Sequence, residues 1–234
     1  MKYSFSSIND LFSSIAPSYD LMNDVMSLGL HHVWKAVFVD RIPLTYEEEP
    51  LVYVDMACGS GDIGGRVLEK AKEKRVAIQP IFVDPNESLL TLAQSRYPDP
   101  TIRWCQESAE DLSLPHNSVD LYTISFGLRN VNNRFAALKK TYHVLKPGGQ
   151  FWCLEFAHPE NPMIQEAFYA YLKILPMLGK GVIGQSEPYA YLADSIRSFP
   201  SSQVLLGEVT QAGFKNATYK PLSYGVVAIT GGIK

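Results

Sequence analysis

Residues 54–65 read VDMACGSGDIGG. Gly59, Gly61 and Gly64 have the G-x-G-x-x-G spacing of a turn that lets backbone approach a nucleotide closely, yet Asp55 and Asp62 stand on either side of it. The run just before, LVYVDM at 51–56, is rich in β-branched and aromatic residues and reads as a strand; the residues behind the glycines read as a helix over 63–74. A strand feeding a helix through glycines opens a doubly wound α/β sheet. Further strands are expected at 79–84, 101–105, 119–125 and 150–156. Between them fall a helix at 87–96, behind an Asn86 cap and ahead of Pro98, and one at 133–145 stopped by KPGG at 146–149. This alternation implies parallel strands with helical crossovers.

After Phe156 the rhythm changes. Ile164, Phe168, Tyr171, Leu172 and Leu175 recur at helical spacing within 163–178, which reads as a cover helix ending near Pro176. A last helix near 203–212 stops at Gly213, and NATYKPL and YGVVAITGG then read as two strands on a short turn. Strands so close in sequence must pair antiparallel. The expected fold is therefore α/β, Rossmann-like, with a mostly parallel seven-stranded sheet and an antiparallel C-terminal edge strand. One domain is expected over 1–234, made of a helical lid at 1–45, a core at 51–156, a cover insertion at 157–200 and closing elements at 201–234. The acidic stretch PLTYEEEP at 43–50 reads as a solvated loop between lid and core.

Bulk properties narrow the function. With 234 residues, 46% hydrophobic and 19% charged, the chain has ordinary globular composition. A net charge of -3 without a long basic run argues against a nucleic-acid partner, which needs concentrated positive charge. Cys58, Cys105 and Cys153 fit neither a disulfide framework nor zinc-ligand spacing, and the five histidines show no ligand pattern, so no metal is implied. The N-terminal residues carry no apolar signal core, and a cytoplasmic location is expected.

The acids bear on which nucleotide the glycines hold. A nicotinamide dinucleotide would set its pyrophosphate at the helix N-terminus, where two poorly solvated carboxylates would each cost on the order of several kcal/mol. S-adenosylmethionine has no phosphate, and its ammonium and sulfonium are cationic; Asp55 and Asp62 favour it. Asp62 also has a plainer reading as a first-turn helix acid. Asp84, ending the second strand, suits ribose hydroxyls in either cofactor class. Ser108 and Ala109 follow the third strand, where an adenine edge would be read, and Ser125 lies at the carboxyl edge of the fourth.

The chain resembles the ubiquinone/menaquinone biosynthesis C-methyltransferases, a branch of the class I S-adenosylmethionine-dependent methyltransferases, over nearly its whole length. The carrying motifs are YDLMNDVMSLGLHHVWK (19–35), DMACGSGDI (55–63), TISFGLRNV (123–131), ALKKTYHVLKPGGQFWCLEF (137–156) and YLADSIRSFP (191–200). The resemblance implies methylation of a ring carbon of a polyprenylated quinol, with S-adenosylhomocysteine as coproduct. It assigns cofactor contacts to Ser60, Asp84, Ser108, Ala109 and Ser125; Asp55, Gly59, Gly61 and Asp62 join them from the residues themselves. Demethylmenaquinol is favoured as acceptor over the benzoquinol of the ubiquinone pathway. Contact with a membrane surface and a homodimer are further expectations. The alternatives weighed are a nicotinamide oxidoreductase and a non-catalytic S-adenosylmethionine-binding protein.

A quinol carbon becomes nucleophilic when the neighbouring hydroxyl loses its proton, so a group that stabilises the oxyanion is wanted beyond the fourth strand. Arg129 and Asn130 are expected in that role, with Tyr19 from the lid as donor or relay. Asp20 has an alternative reading as a helix cap, and Arg129 as half of a structural ion pair. His158 is a further candidate base, ranked below a bound water. Where the family carries a polar run, this chain has GQSEPYAY at 184–191, whose Pro188 favours a turn or helix start.

Overall fold

The β-rich runs form β1 (Leu51–Met56), β2 (Ile78–Val83), β3 (Arg103–Cys105), β4 (Val119–Ser125), β5 (Leu145–Phe156), β6 (Lys215–Leu222) and β7 (Val227–Ile233) in a computed structural model that describes residues 7–45 and 49–234. Residues 46–48, within the expected acidic loop, and residues 1–6 of the expected lid lie outside the described residues. The sheet order is β3-β2-β1-β4-β5-β7-β6. The five strands β1 to β5 pair parallel, and β7 runs antiparallel to both β5 and β6. The edge therefore belongs to β6, with β7 inside. Lys215, Lys220 and Pro221 on this half-exposed edge strand oppose pairing with another chain.

Strand alternation sends neighbouring residues into two cores. Tyr53, Phe82, Leu121 and Leu154 join the core beneath α4 (Asp62–Lys74) and the N-terminal helices. Val54, Met56, Tyr122, Ile124 and Phe151 face the other way, against α6 (Arg134–Val144) and α9 (Ser202–Ala212). α4 lies close on the sheet because Gly64 has no side chain: a Cβ there would stand 2.0 Å from the Phe82 ring. α5 (Glu87–Arg96) starts where expected, with the Leu89 N–H donating to the Asn86 side chain at 2.9 Å.

The described N-terminal residues form α1 (Ile8–Ile15), α2 (Tyr19–Ser27) and α3 (Leu30–Arg41). The cover differs from expectation in one respect. α7 (Pro162–Ile183) runs through Pro176 instead of ending there, and stops only at Gly184, whose φ of 73° lets the chain turn away. Before the proline the helix buries Phe168, Leu172 and Leu175 in the core, and beyond it Gly179 packs against the Tyr189 ring. The 184–191 segment then opens α8 (Glu187–Ser198), with Pro188 in its first turn, where a missing N–H leaves no helical bond unmade.

Candidate functional site

Past β1 the backbone turns sharply through Ala57, Gly59 and Gly61, at φ of 52°, 55° and 82°. Two buried acids hold this turn in place. The Asp84 carboxylate at the end of β2 accepts from the Gly59 N–H at 2.8 Å and from the Asn86 N–H at 2.9 Å. Asp55, at the end of β1, accepts from the Gly64 N–H and the Thr123 hydroxyl, each at 2.8 Å. Burial pushes the Asp55 carboxyl up to about 7 and that of Asp84 up to about 6, since a charge taken from water is penalised more than these hydrogen bonds return.

The glycine turn opens onto a cavity of about 460 Å3 at the carboxyl ends of β1, β2 and β4. This is where an open α/β sheet binds ligands, and the volume falls within the roughly 300–1,000 Å3 of small-molecule sites. Seven expected residues share its wall: Tyr19, Gly59, Asp84, Ser108, Ala109, Ser125 and Asn130. Ser108 lines the wall while bonded to Asp111: its hydroxyl donates to the carboxylate at 3.0 Å and accepts from the Asp111 N–H. Ser125 Oγ is buried with no hydrogen-bond partner among the described residues. A buried hydroxyl without a partner costs free energy, which a polar ligand atom would recover. Tyr19 lies over the turn, its hydroxyl 3.3 Å from where a Gly59 Cβ would be. Burial first, and the charge of Asp84 second, push its pKa up to about 12, so its hydroxyl stays protonated.

Other expected residues lie elsewhere. Asp55, Ser60 and Asp62 line an adjoining space of about 30 Å3 that shares Tyr19 and Ser125 with the large cavity. Asp62 binds Lys35 Nζ at 2.9 Å and Arg66 Nε at 2.7 Å. Burial alone would raise its pKa, but the two cations hold it below the usual carboxylate range. The picture of two free acids repelling a phosphate is thereby corrected: Asp62 is neutralised, and Asp55 fills the Gly64 N–H that a pyrophosphate would need. Gly61 is absent from the wall, its Cβ position facing the Tyr97 ring.

Arg129 is also away from the cavity wall. Its Nη1 donates to Glu155 at 2.9 Å and to the Phe126 carbonyl, its backbone N–H donates to Glu155 at 3.2 Å, and its guanidinium lies over the Phe156 ring. Its neighbour Asn130 does reach the cavity, with its Oδ1 accepting from the Tyr191 hydroxyl at 3.0 Å. Asp20 pairs with Arg96 at 2.7 Å, tying α2 to α5. His158 spends both ring nitrogens, Nε2 on the Phe199 carbonyl at 2.6 Å and Nδ1 on the Tyr169 hydroxyl at 2.7 Å, which removes it as a free base.

Sequence reasoning missed the roof. Asn9 and Phe12 of α1 line the cavity, together with Met56, Asn86, Glu110 and Phe126. The Asn86 amide donates to Asn9 and Ser13, so the residue that caps α5 also ties down α1. The Asn86 cap was legible; nothing in the pattern of α1 says which helix it will meet.

The fold is that of the class I S-adenosylmethionine-dependent methyltransferases. An S-adenosylmethionine-dependent methyltransferase of Thermotoga maritima superposes with a TM-score of 0.65 at 18% identity, over 96% of this chain and 98% of that one. The Haloferax volcanii methyltransferase solved with its Trm112 activator gives 0.67 at 16% identity, over 97% of each chain.

The model of the ubiE/COQ5 methyltransferase family matches residues 1–234, and the chain belongs to that family. It is 41% identical over 229 residues to the ubiquinone/menaquinone biosynthesis C-methyltransferase UbiE of Rickettsia bellii, covering 96% of this chain and 91% of the relative. Against the mitochondrial 2-methoxy-6-polyprenyl-1,4-benzoquinol methylase of Dictyostelium discoideum the identity is 35%, over 98% and 82%. The protein is an S-adenosylmethionine-dependent methyltransferase.

Proposed function

We propose that this enzyme methylates a ring carbon of a polyprenylated quinol, demethylmenaquinol being favoured over the benzoquinol acceptor of the ubiquinone pathway. The carrying observation is one cavity whose wall brings together Asp84, Ser108, Ala109, Asn130 and Tyr19. S-adenosylmethionine supplies an electrophilic methyl group when bound. Asp84 would accept from both ribose hydroxyls through the lone pairs left by Gly59 and Asn86, Ser108 and Ala109 would flank the adenine, and Ser125 would bond a polar atom of the donor. Gly59 gives close backbone approach, while Asp55, Gly61, Ser60 and Asp62 shape and brace the loop beneath.

The nucleophilic ring carbon of the acceptor would take the methyl group, the new C–C bond forming as the C–S bond breaks and its electron pair returns to sulfur. The ring then loses the displaced proton to water and regains aromaticity. Asn130 would stabilise the oxyanion that drives the attack, Tyr19 would donate to it, and the Arg129–Glu155 pair would hold Asn130 in position. Exposed Leu28, Leu30, Met163 and Met177 support contact with a membrane surface that would present the apolar tail; among the described residues no helix is long and apolar enough to cross one. The nicotinamide reading is disfavoured by the occupied Gly64 N–H.

The test joins calorimetric titration with S-adenosylhomocysteine to methyl transfer onto demethylmenaquinol and a demethylated benzoquinol, each reduced and in detergent. Binding with turnover of one quinol is expected and would choose between the pathways. Binding without turnover of either would overturn the quinol assignment.

A further inference from the structure

The segment in which this chain departs from the family's polar run ends at Tyr191, one turn into α8. Its hydroxyl reaches the carbonyl oxygen of the Asn130 side chain at 3.0 Å, from outside the wall of the large cavity. Asn130 closes a short 3-10 turn, Leu128–Asn130, whose backbone is fixed by the Asn130 N–H donating to the Gly127 carbonyl at 3.0 Å. That bond leaves the side-chain torsions free. A primary amide has a donating and an accepting end, and rotation by a half-turn exchanges them. A partner that donates selects the orientation in which Oδ1 faces it and the NH2 faces away. Burial keeps the Tyr191 hydroxyl protonated, and so a donor, through the neutral range.

We infer that Tyr191 is a positioning residue for methyl transfer: by donating to Asn130 Oδ1 it turns the amide N–H groups toward the acceptor oxygen. The inference rests on the reading of Asn130 given above. It also assigns a purpose to α8, whose own side chain at 191 completes the site from behind. A donor held ready for a developing oxyanion accelerates the step because no reorganisation accompanies charge formation. An amide free to rotate would present its oxygen lone pairs to the same oxyanion for part of the time.

The test compares wild type, Tyr191→Phe, Asn130→Ala and the double variant in the quinol methyl-transfer assay, with S-adenosylhomocysteine titration and thermal denaturation of each. Tyr191→Phe keeps the ring and removes one hydroxyl. It is expected to lower kcat about tenfold, on the order of one neutral hydrogen bond, while the donor KM and S-adenosylhomocysteine affinity stay within twofold of wild type. In the Asn130→Ala background the same change should alter kcat less than twofold, because there is no amide left to orient. A general packing defect would instead lower kcat equally in both backgrounds, and that result overturns the inference. So does an unchanged kcat for Tyr191→Phe beside a large loss for Asn130→Ala. Full turnover by Asn130→Ala would instead sink the role of Asn130, and the inference with it.

Discussion

Asp84 is buried, and the role proposed for it needs its charge. With its pKa pushed up to about 6 by burial, it is ionised at pH 7.5 and largely protonated at pH 5 in the free protein. A protonated carboxyl loses acceptor capacity toward two ribose hydroxyls, so S-adenosylhomocysteine should bind about tenfold more weakly at pH 5 than at pH 7.5. Calorimetry across that range checks it, and Asp84→Asn should bind weakly at both values with the slope gone. Position made Asp84 legible in the sequence, since an acid ending the second strand of a doubly wound sheet has one obvious place to be. The partners of Asp62 and Arg129 were not legible. Lys35 and Glu155 lie 27 and 26 residues away from them, and only the packing of α3 on α4 and of β5 beside β4 brings the charges together. Asp62 was therefore read as a free acid, whereas it is paired with two cations.

Among the elements, the cover is joined in a chain of contacts. The Tyr171 hydroxyl of α7 bonds the Val25 and Met26 carbonyls of α2, at 3.1 and 3.0 Å. Further along α7, Gly179 lies under the Tyr189 ring of α8, so close that a Cβ would meet it at 2.0 Å. Tyr191 then connects α8 to Asn130. Gly179→Ala should push α8 off α7, lowering Tm by several degrees, on the scale of about 1–3 kcal/mol for an overpacked contact. Kinetically it should lower methyl-transfer kcat while S-adenosylhomocysteine affinity holds within twofold, because Asp84, Ser108 and Ala109, proposed to hold the nucleoside, follow β2 and β3 and do not belong to the cover. Denaturation curves, titration and turnover on one preparation distinguish this from global unfolding. The sheet strands were readable from β-branched runs and turn residues, but α7 and α8 were only half so. Pro176 is a breaker by local rules, and its helix persists because tertiary burial on both sides of it overrides them.

For the molecule as a whole, two buried acids make stability depend on pH. Asp55 and Asp84 titrate near 7 and 6 when folded, above the 3.8 of an ordinary aspartate, so the native state holds more protons than the unfolded chain between about pH 4 and 7. Their contribution is complete below pH 4 and is lost as pH rises through those values. Asp55→Asn keeps an acceptor for the Gly64 N–H but cannot ionise; the fall in its unfolding free energy between pH 4.5 and 7.5 should be smaller than that of wild type by about 3 kcal/mol. Urea unfolding at the two pH values measures the difference, and equal slopes would mean that Asp55 is not the group responsible. The sheet order carries a different consequence, for synthesis. β5 can pair with β4 as soon as it is made, but its other edge is filled only when residues 227–233 arrive, after α7, α8, α9 and β6. A ribosome therefore adds residues 157–226 while an apolar strand edge stands open to any extended neighbour, and the order in which segments emerge makes the nascent protein a client for whatever shields such edges.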